Sequence, residues 1–334
     1  MKLINKTVCI ALCAAMVLLS LCSCTMLSSS AREKEPVLTV GEYSVPYELY
    51  YYITMNLRKD LPDATEEEIE AEAFEMLREI YGVFALAEEY DISFDDEDVE
   101  KVVDEAAQLA IEECGGKKEY KEALGKSYMN DSVFRLLKKH SHVADVVHTS
   151  IINSGKYPLD AEKIKALAMS DEFIRVKQIL IMTEDSINSA EDTYFTTGEE
   201  HTDEEALAIA NEAYEKAMAG EDFDSLVDEY GEALHMFNNT DGYYITRGMW
   251  EEENENAAFA LEIGEISPVV KSSSGYSIFL RCEKSEAYIE ANTDSLADDY
   301  YTAQYNLLLL EKIEGLEIKK LEAYESLLKE ESEK

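Results

Sequence analysis

Proline and glycine are scarce, at 5 and 14 among 334 residues. So few turn formers argue against a sandwich or barrel built on many hairpins, and for long helices. Basic residues are also in short supply: 30 Lys+Arg face 71 Asp+Glu, a formal net charge of −41. A phosphate backbone would be repelled by such a surface, which argues against nucleic-acid binding. No HExxH, GxGxxG, P-loop or GxSxG occurs, so metalloprotease, dinucleotide, nucleotide-triphosphate and α/β-hydrolase chemistry lack their signatures. No cofactor and no metal are expected. Of 6 cysteines, Cys9, Cys13, Cys22 and Cys24 lie at the start of the chain, leaving Cys114 and Cys282. These two could pair, although nothing in the sequence requires it, and their separation is no zinc spacing. What is present is a hydrophobic fraction of 46% with 10% aromatics, too apolar for a disordered acidic tail. At this length two or three folded units are expected.

The chain opens with Lys2 and Lys6, then an apolar run from Val8 to Leu21. The run is shorter than the ~20 residues a spanning helix needs and reads as a secretory signal. Leu21-Cys22-Ser23-Cys24 resembles a bacterial lipobox, in which the last Cys is lipidated; an ordinary signal peptide that contains cysteines is the alternative. The expected layout is a lipoprotein signal over 1–23 and a lipidated tether over 24–36, containing Ser28-Ser29-Ser30-Ala31. The folded part then sits on the extracytoplasmic face of the bacterial cell membrane, anchored through Cys24.

Residues 37–170 read as a helical domain. A short strand and turn over Leu38–Pro46 precede a first helix with Ser44 as cap, and a second opens at Asp63 or Thr65. Phe74, Leu77, Tyr81 and Phe84 recur at three- and four-residue steps along that second helix. Further helices are expected from Ser93 to Gly115-Gly116, Asp131 to Asn153 and Asp160 to Met169. His142, Asp145 and His148 could share a helical face, but solvated or partly packed histidines are the simpler reading. From Asp171 the grammar changes. A buried strand over Phe173–Met182, helices over Asp203–Ala219 and Phe223–Tyr230, a strand Tyr243–Ile245 and a short helix Asn256–Leu261 are followed by two strands, Ser267–Lys271 and Tyr276–Cys282. That order predicts an α+β fold with a mainly antiparallel sheet over 171–285. Residues 286–334 return to helix, with Leu307, Leu310, Ile313, Leu321, Tyr324 and Leu328 on one stripe and a bend possible at Gly315. This stripe is expected to pack back on the N-terminal region; a coiled-coil homodimer is the competing use.

The strings Ala257-Ala258-Phe259-Ala260-Leu261, Gly264-Glu265-Ile266-Ser267-Pro268-Val269-Val270 and Ser274-Gly275-Tyr276-Ser277-Ile278 resemble the parvulin, or PpiC-type, family of peptidyl-prolyl isomerases. Phe223-Asp224-Ser225-Leu226 and Asp241-Gly242-Tyr243-Tyr244 extend the likeness. Helical regions on both sides, behind a lipobox, resemble PrsA-like extracytoplasmic foldases and SurA-like chaperones. The resemblance implies a parvulin-like domain inserted in a helical, chaperone-like region. Turning an X-Pro bond means lowering an amide barrier of ~18–20 kcal/mol, which a site can do with an apolar cup and placed polar groups, without a nucleophile. By resemblance the first-strand histidine falls on Gln178, the last-strand histidine on Ser277 and the Asp/Cys position on Ala233. The proline-gripping Met falls on Trp250 and the Phe on Asn254. Every characteristic side chain is replaced, whereas Asp241, Phe259, Gly264 and Gly275 match.

The expected groove therefore holds Tyr244, Met249, Trp250, Asn254 and Phe259, with simple packing as the alternative for Trp250. Acidic residues from Glu184 to Glu200 beside its mouth would repel a phosphorylated ligand, although they serve equally as a solubilising loop. Three functions stay open. The first is a membrane-anchored foldase binding unfolded or proline-containing secreted polypeptides, its isomerase activity weak or lost. The others are an active isomerase with an atypical site and a non-catalytic envelope scaffold.

Overall fold

The computed structural model describes residues 35–154, 157, 160–183, 201–233 and 241–324. The signal segment with Cys24, and the acidic stretch 184–200, lie outside the described residues. Contacts divide the described chain into two units, one of residues 35–151 with 308–324 and one of residues 152–307. The architecture is α+β, rich in helix, with two antiparallel sheets. Among the described residues no helix is long and apolar enough to cross a membrane.

The first unit begins with a hairpin, β1 (Pro36–Val40) and β2 (Tyr43–Pro46). Five helices follow: α1 (Tyr47–Asp60), α2 (Glu66–Glu89), α3 (Glu97–Glu113), α4 (Lys117–Lys126) and α5 (Asp131–Asn153). Ser44 lies within β2, and Pro46 takes the cap position of α1. Thr65 caps α2 with a full capping box: its side chain accepts from Glu68 N while the Glu68 carboxylate accepts from Thr65 N. Three glutamates then sit in the first turn, where the helix dipole favours negative charge. The buried stripe of α2 meets β2 through Tyr81, whose ring stacks on Tyr43 at 5.5 Å.

The C-terminal stretch departs from the helical expectation. One helix, α11 (Thr293–Glu314), ends at Gly315, and Ile318–Lys320 form strand β7. β7 pairs antiparallel with β1, Leu38 opposite Lys320 and Val40 opposite Ile318, giving the order β2-β1-β7. The open edge of β1 offers unpaired backbone groups, and extended chain satisfies them where helix could not. Beyond it, Tyr324 is buried and its hydroxyl bonds both Tyr50, at 2.9 Å, and Glu70.

The second unit holds α6 (Ala161–Met169), β3 (Ile174–Ile181), α7 (Asp203–Met218), α8 (Phe223–Tyr230), β4 (Tyr243–Ile245), α9 (Glu252–Ala260), β5 (Val270–Ser272), β6 (Gly275–Cys282) and α10 (Glu286–Ala291). Its sheet runs β4-β3-β6-β5, antiparallel throughout. Strand residues alternate between faces. Ile179, Ile181, Tyr276 and Ile278 point to one face, where α7 presents Ala206, Ala210, Ala213 and Ala217 and α8 presents Leu226 and Val227. The alanine stripe lets α7 lie close on the sheet. Ile174, Val176 and Phe279 point to the other face and pack with Ile245 and Ala258.

Candidate functional site

Gln178 and Ser277 lie on the face shared with Phe279. Gln178 stands opposite Phe279 and Ser277 opposite Leu180 in the β3–β6 ladder, so the two side chains are diagonal neighbours on one surface. Gln178 Nε2 donates to Ser277 Oγ at 2.9 Å. Ser277 is fully buried and Gln178 half-buried. These two residues, which the resemblance sets at histidine positions, are thus joined by one neutral hydrogen bond. Ala233 comes to the same end of β3, packed with Leu180 and Met182, and supplies no polar atom from its side chain.

Tyr244 is a correction. It stands opposite Arg175, one residue out of phase with Gln178, so strand alternation turns it to the α7–α8 face. There its ring stacks on Tyr288 at 4.5 Å and its hydroxyl accepts from Ser285 N at 2.7 Å. It therefore does not line the groove. The other aromatic positions stay on the expected face. Trp250 stacks on Phe279 at 5.6 Å and meets Tyr243 edge-on at 5.4 Å, so it is first a packing residue, half-exposed at one edge. Phe259, also half-buried, carries the Arg247 guanidinium over its ring at 4.3 Å.

The loop bearing Met249 and Trp250 is held by a carboxylate. Glu255 accepts from the backbone N–H of Gly248 at 2.7 Å and of Trp250 at 2.9 Å. Burial pushes its acid pKa up despite those bonds. Met249 accepts at its Sδ from Thr246 N at 3.3 Å, and Asn306 of α11 donates to Gly248 O at 2.9 Å. Across the face, Glu251 accepts from Ser273 N at 2.7 Å and Ser274 Oγ at 2.9 Å, fixing the β5–β6 turn. Gly275 closes that turn at φ +118, and a Cβ there would lie 2.2 Å from Ile181 O. Asn254, 5% exposed, donates from Nδ2 to Ser272 Oγ at 3.1 Å.

Sequence reading missed one pair. Glu232, 5% exposed, accepts from Met182 N at 2.6 Å and meets His201 Nε2 at 2.6 Å. Its own N–H donates to Leu180 O at 2.9 Å. The carboxylate thus extends the hydrogen bonding of β3 past its last strand residue. The sequence offered only a Glu directly before Ala233, and the fold brings His201 to it. Elsewhere, Cys114 and Cys282 are both free, and His140 sits edge-on to Phe84 at 6.1 Å.

Chemically, the face offers amide and hydroxyl groups set among aromatic and aliphatic side chains. It holds no nucleophile activated by a base at Gln178, Ser277 or Ala233.

Residues 179–283 match the family model described as Rotamase, the PPIC-type PPIase domain. The foldase protein PrsA of Halalkalibacterium halodurans is 34% identical over 107 residues, which cover 32% of this chain and 30% of that protein. The match therefore spans under a third of that relative's length. The peptidyl-prolyl cis-trans isomerase pin1 of Rhizopus delemar is 28% identical over 141 residues, covering 41% of this chain and 87% of the relative. Among solved structures, the peptidylprolyl isomerase PrsA of Bacillus anthracis aligns with a TM-score of 0.31 at 20% identity, covering 72% of this chain and 96% of that one.

Proposed function

We propose, from the premise that residues 179–283 belong to the PPIC-type PPIase domain family, that the chain is an extracytoplasmic foldase binding unfolded secreted polypeptides, whose isomerase-type domain retains peptide binding with weak or no catalysis. The observation that carries the second half is the Gln178–Ser277 hydrogen bond at the centre of the sheet. A neutral pair already bonded to each other has little to give a twisting amide. The first half is supported by the lipobox-like Leu21–Cys24, with which a lipid on Cys24 would hold the molecule at the outer face of the cell membrane. The likeness to proteins named foldase PrsA in Halalkalibacterium halodurans and Bacillus subtilis supports the foldase reading.

Two assays on the purified chain test the reading. Isomerisation of a short X-Pro peptide is expected to proceed near its uncatalysed rate and to speed up in the Gln178→His, Ser277→His double variant. Efficient turnover by the unaltered protein would overturn the weak-catalysis half and favour an atypical active isomerase. Aggregation of an unfolded client is expected to be suppressed. No suppression, together with no catalysis, would leave a scaffold role.

A further inference from the structure

The outer face of α3 carries apolar side chains that the first unit leaves in solvent. Val99, Val103 and Ala107 form the buried stripe of the helix. At 3.6 residues per turn, Val102, Ala106 and Leu109 form a second stripe turned about 90° from it. Val102 is 39% and Leu109 55% exposed, and Ala106 is half-exposed. Charge around this stripe is negative and partly unmatched. Lys101 pairs with Glu105 at 3.9 Å, Arg135 of α5 with Asp104, and Lys139 of α5 with Glu100 at 2.6 Å. The last turn, beside Leu109, holds Glu112 and Glu113 and no basic residue. Glu112 accepts from Gln108 Nε2 at 2.7 Å, and Lys118, just beyond, is paired with Glu122 at 3.4 Å. Among the described residues, then, no ion pair reaches either carboxylate at the negative end of the helix dipole, the end that favours positive charge. A cavity of about 590 Å³ lies against the same face, lined among the described residues by Glu97, Glu105, Gln108, Leu109 and Glu112 with their α3 neighbours.

The chemistry of this face selects its occupant. A nucleic acid or an anionic membrane surface brings negative charge to carboxylates, and a second copy of this chain brings 71 Asp+Glu against 30 Lys+Arg. A cationic polypeptide matches it. Val102 and Leu109 lie about 10.5 Å apart along the helix axis, at 1.5 Å per residue. Two residues seven apart on a partner helix repeat that distance on one face, whereas in extended chain the matching residues, three apart, point to opposite sides. We propose that the outer face of α3 docks a cationic amphipathic helix of a client polypeptide, whose apolar residues cover Val102 and Leu109 while its Lys or Arg side chains reach Glu112 and Glu113. The claim rests on the client-binding reading above, names the chemistry of one client class, and uses no residue of the sheet face.

A fluorescein-labelled Leu/Lys peptide with leucines at the a and d positions of a helical heptad is titrated into the purified full-length chain and followed by polarisation. A scrambled peptide of identical composition controls for the net charge of −41, and a Leu/Glu peptide controls for sign. The amphipathic Leu/Lys peptide is expected to bind roughly tenfold tighter than the scrambled one, the scale of covering one leucine side chain, and the Leu/Glu peptide is expected not to bind. Leu109→Ser is expected to remove that advantage. Glu112→Gln combined with Glu113→Gln is expected to weaken binding several-fold at about 0.05 M NaCl and to change it little at about 0.5 M, where charges are screened within a few ångströms. All three side chains are exposed, and circular dichroism checks that each variant is folded. Equal binding of the amphipathic and scrambled peptides, or an advantage that survives Leu109→Ser, overturns the inference. Client aggregation is measured in parallel. Suppression without peptide selectivity leaves the foldase reading standing and this inference fallen; no suppression overturns that reading and, with it, the client named here.

Discussion

At the scale of single residues, two buried ionisable groups set opposite pH dependences in the helical unit. Glu72 is 5% exposed, and burial, with Glu75 adding repulsion, pushes its pKa from 4.5 to about 6. The folded state then holds a proton that the unfolded chain releases, so the charged carboxylate costs stability above about pH 6, and that cost disappears as the pH falls towards 4.5. Glu72→Gln is expected to add about 2 kcal/mol at pH 8 and nothing at pH 4.5, read from urea unfolding. An equal gain at both values would show that ionisation is not the cause. His140, by contrast, is pushed down from 6.5 to about 4 by burial. Its neutral ring favours folding fully above pH 6.5, and the favour is lost as the pH drops from there to about 4. His140→Gln is expected to flatten the acid-side loss of stability over that window; an unchanged acid limb would refute it. Neither shift was legible in the sequence. Glu72 looks like one more glutamate in a solvated run, and His140 one of three histidines on an amphipathic helix.

At the scale of elements, the capping signals were legible and the close approaches were not. Thr65 was one of two candidate starts for α2, and its capping box with Glu68 settles the choice. Thr65→Ala is expected to lower stability by about 1 kcal/mol, whereas Asp63→Ala should change it by less than half of that. Equal losses would mean the box contributes little. Gly248 shows the reverse case. It has φ +95, and a Cβ there would lie 2.5 Å from Ala303 O and 2.8 Å from Leu307 Cγ, on the helix that donates Asn306 to the same residue. Gly248→Ala is expected to cost about 3 kcal/mol, since both the backbone conformation and the contact resist it. It should also shift Trp250 emission, because Trp250 rides on that loop; a silent substitution would mean that α11 does not set the loop. Strand β7 escaped the sequence for a related reason. Ile318 to Lys320 carry no alternation long enough to announce a strand, and their extended form is imposed by β1.

At the scale of the whole molecule, a net charge of −41 is the dominant fact. Much of it is unpaired, because 71 acidic residues meet only 30 Lys+Arg. Self-repulsion then lowers the stability of the compact state and is screened over a Debye length of ~10 Å at 0.1 M salt. Raising NaCl from about 0.01 to 0.3 M is expected to raise the thermal midpoint by several degrees; a fall would indicate that surface ion pairs outweigh the repulsion. Composition alone gave that charge, and the α+β class followed from the order of periodic segments and turn signals. The spacing from Asp241 to Ile278 pointed to the parvulin-type framework. Facing was decided by the tertiary structure. Tyr244 and Gln178 sit on strands that look alike in sequence, and only the β3–β4 register puts one behind the sheet and the other before it. The Glu232–His201 contact, the Asn254–Ser272 hydrogen bond and the pairing of β7 with β1 join residues well apart along the chain. Local propensity acts within a few residues, whereas pairing, burial and the loss of water around a polar atom depend on which distant segment arrives, and that is settled only when the chain closes on itself.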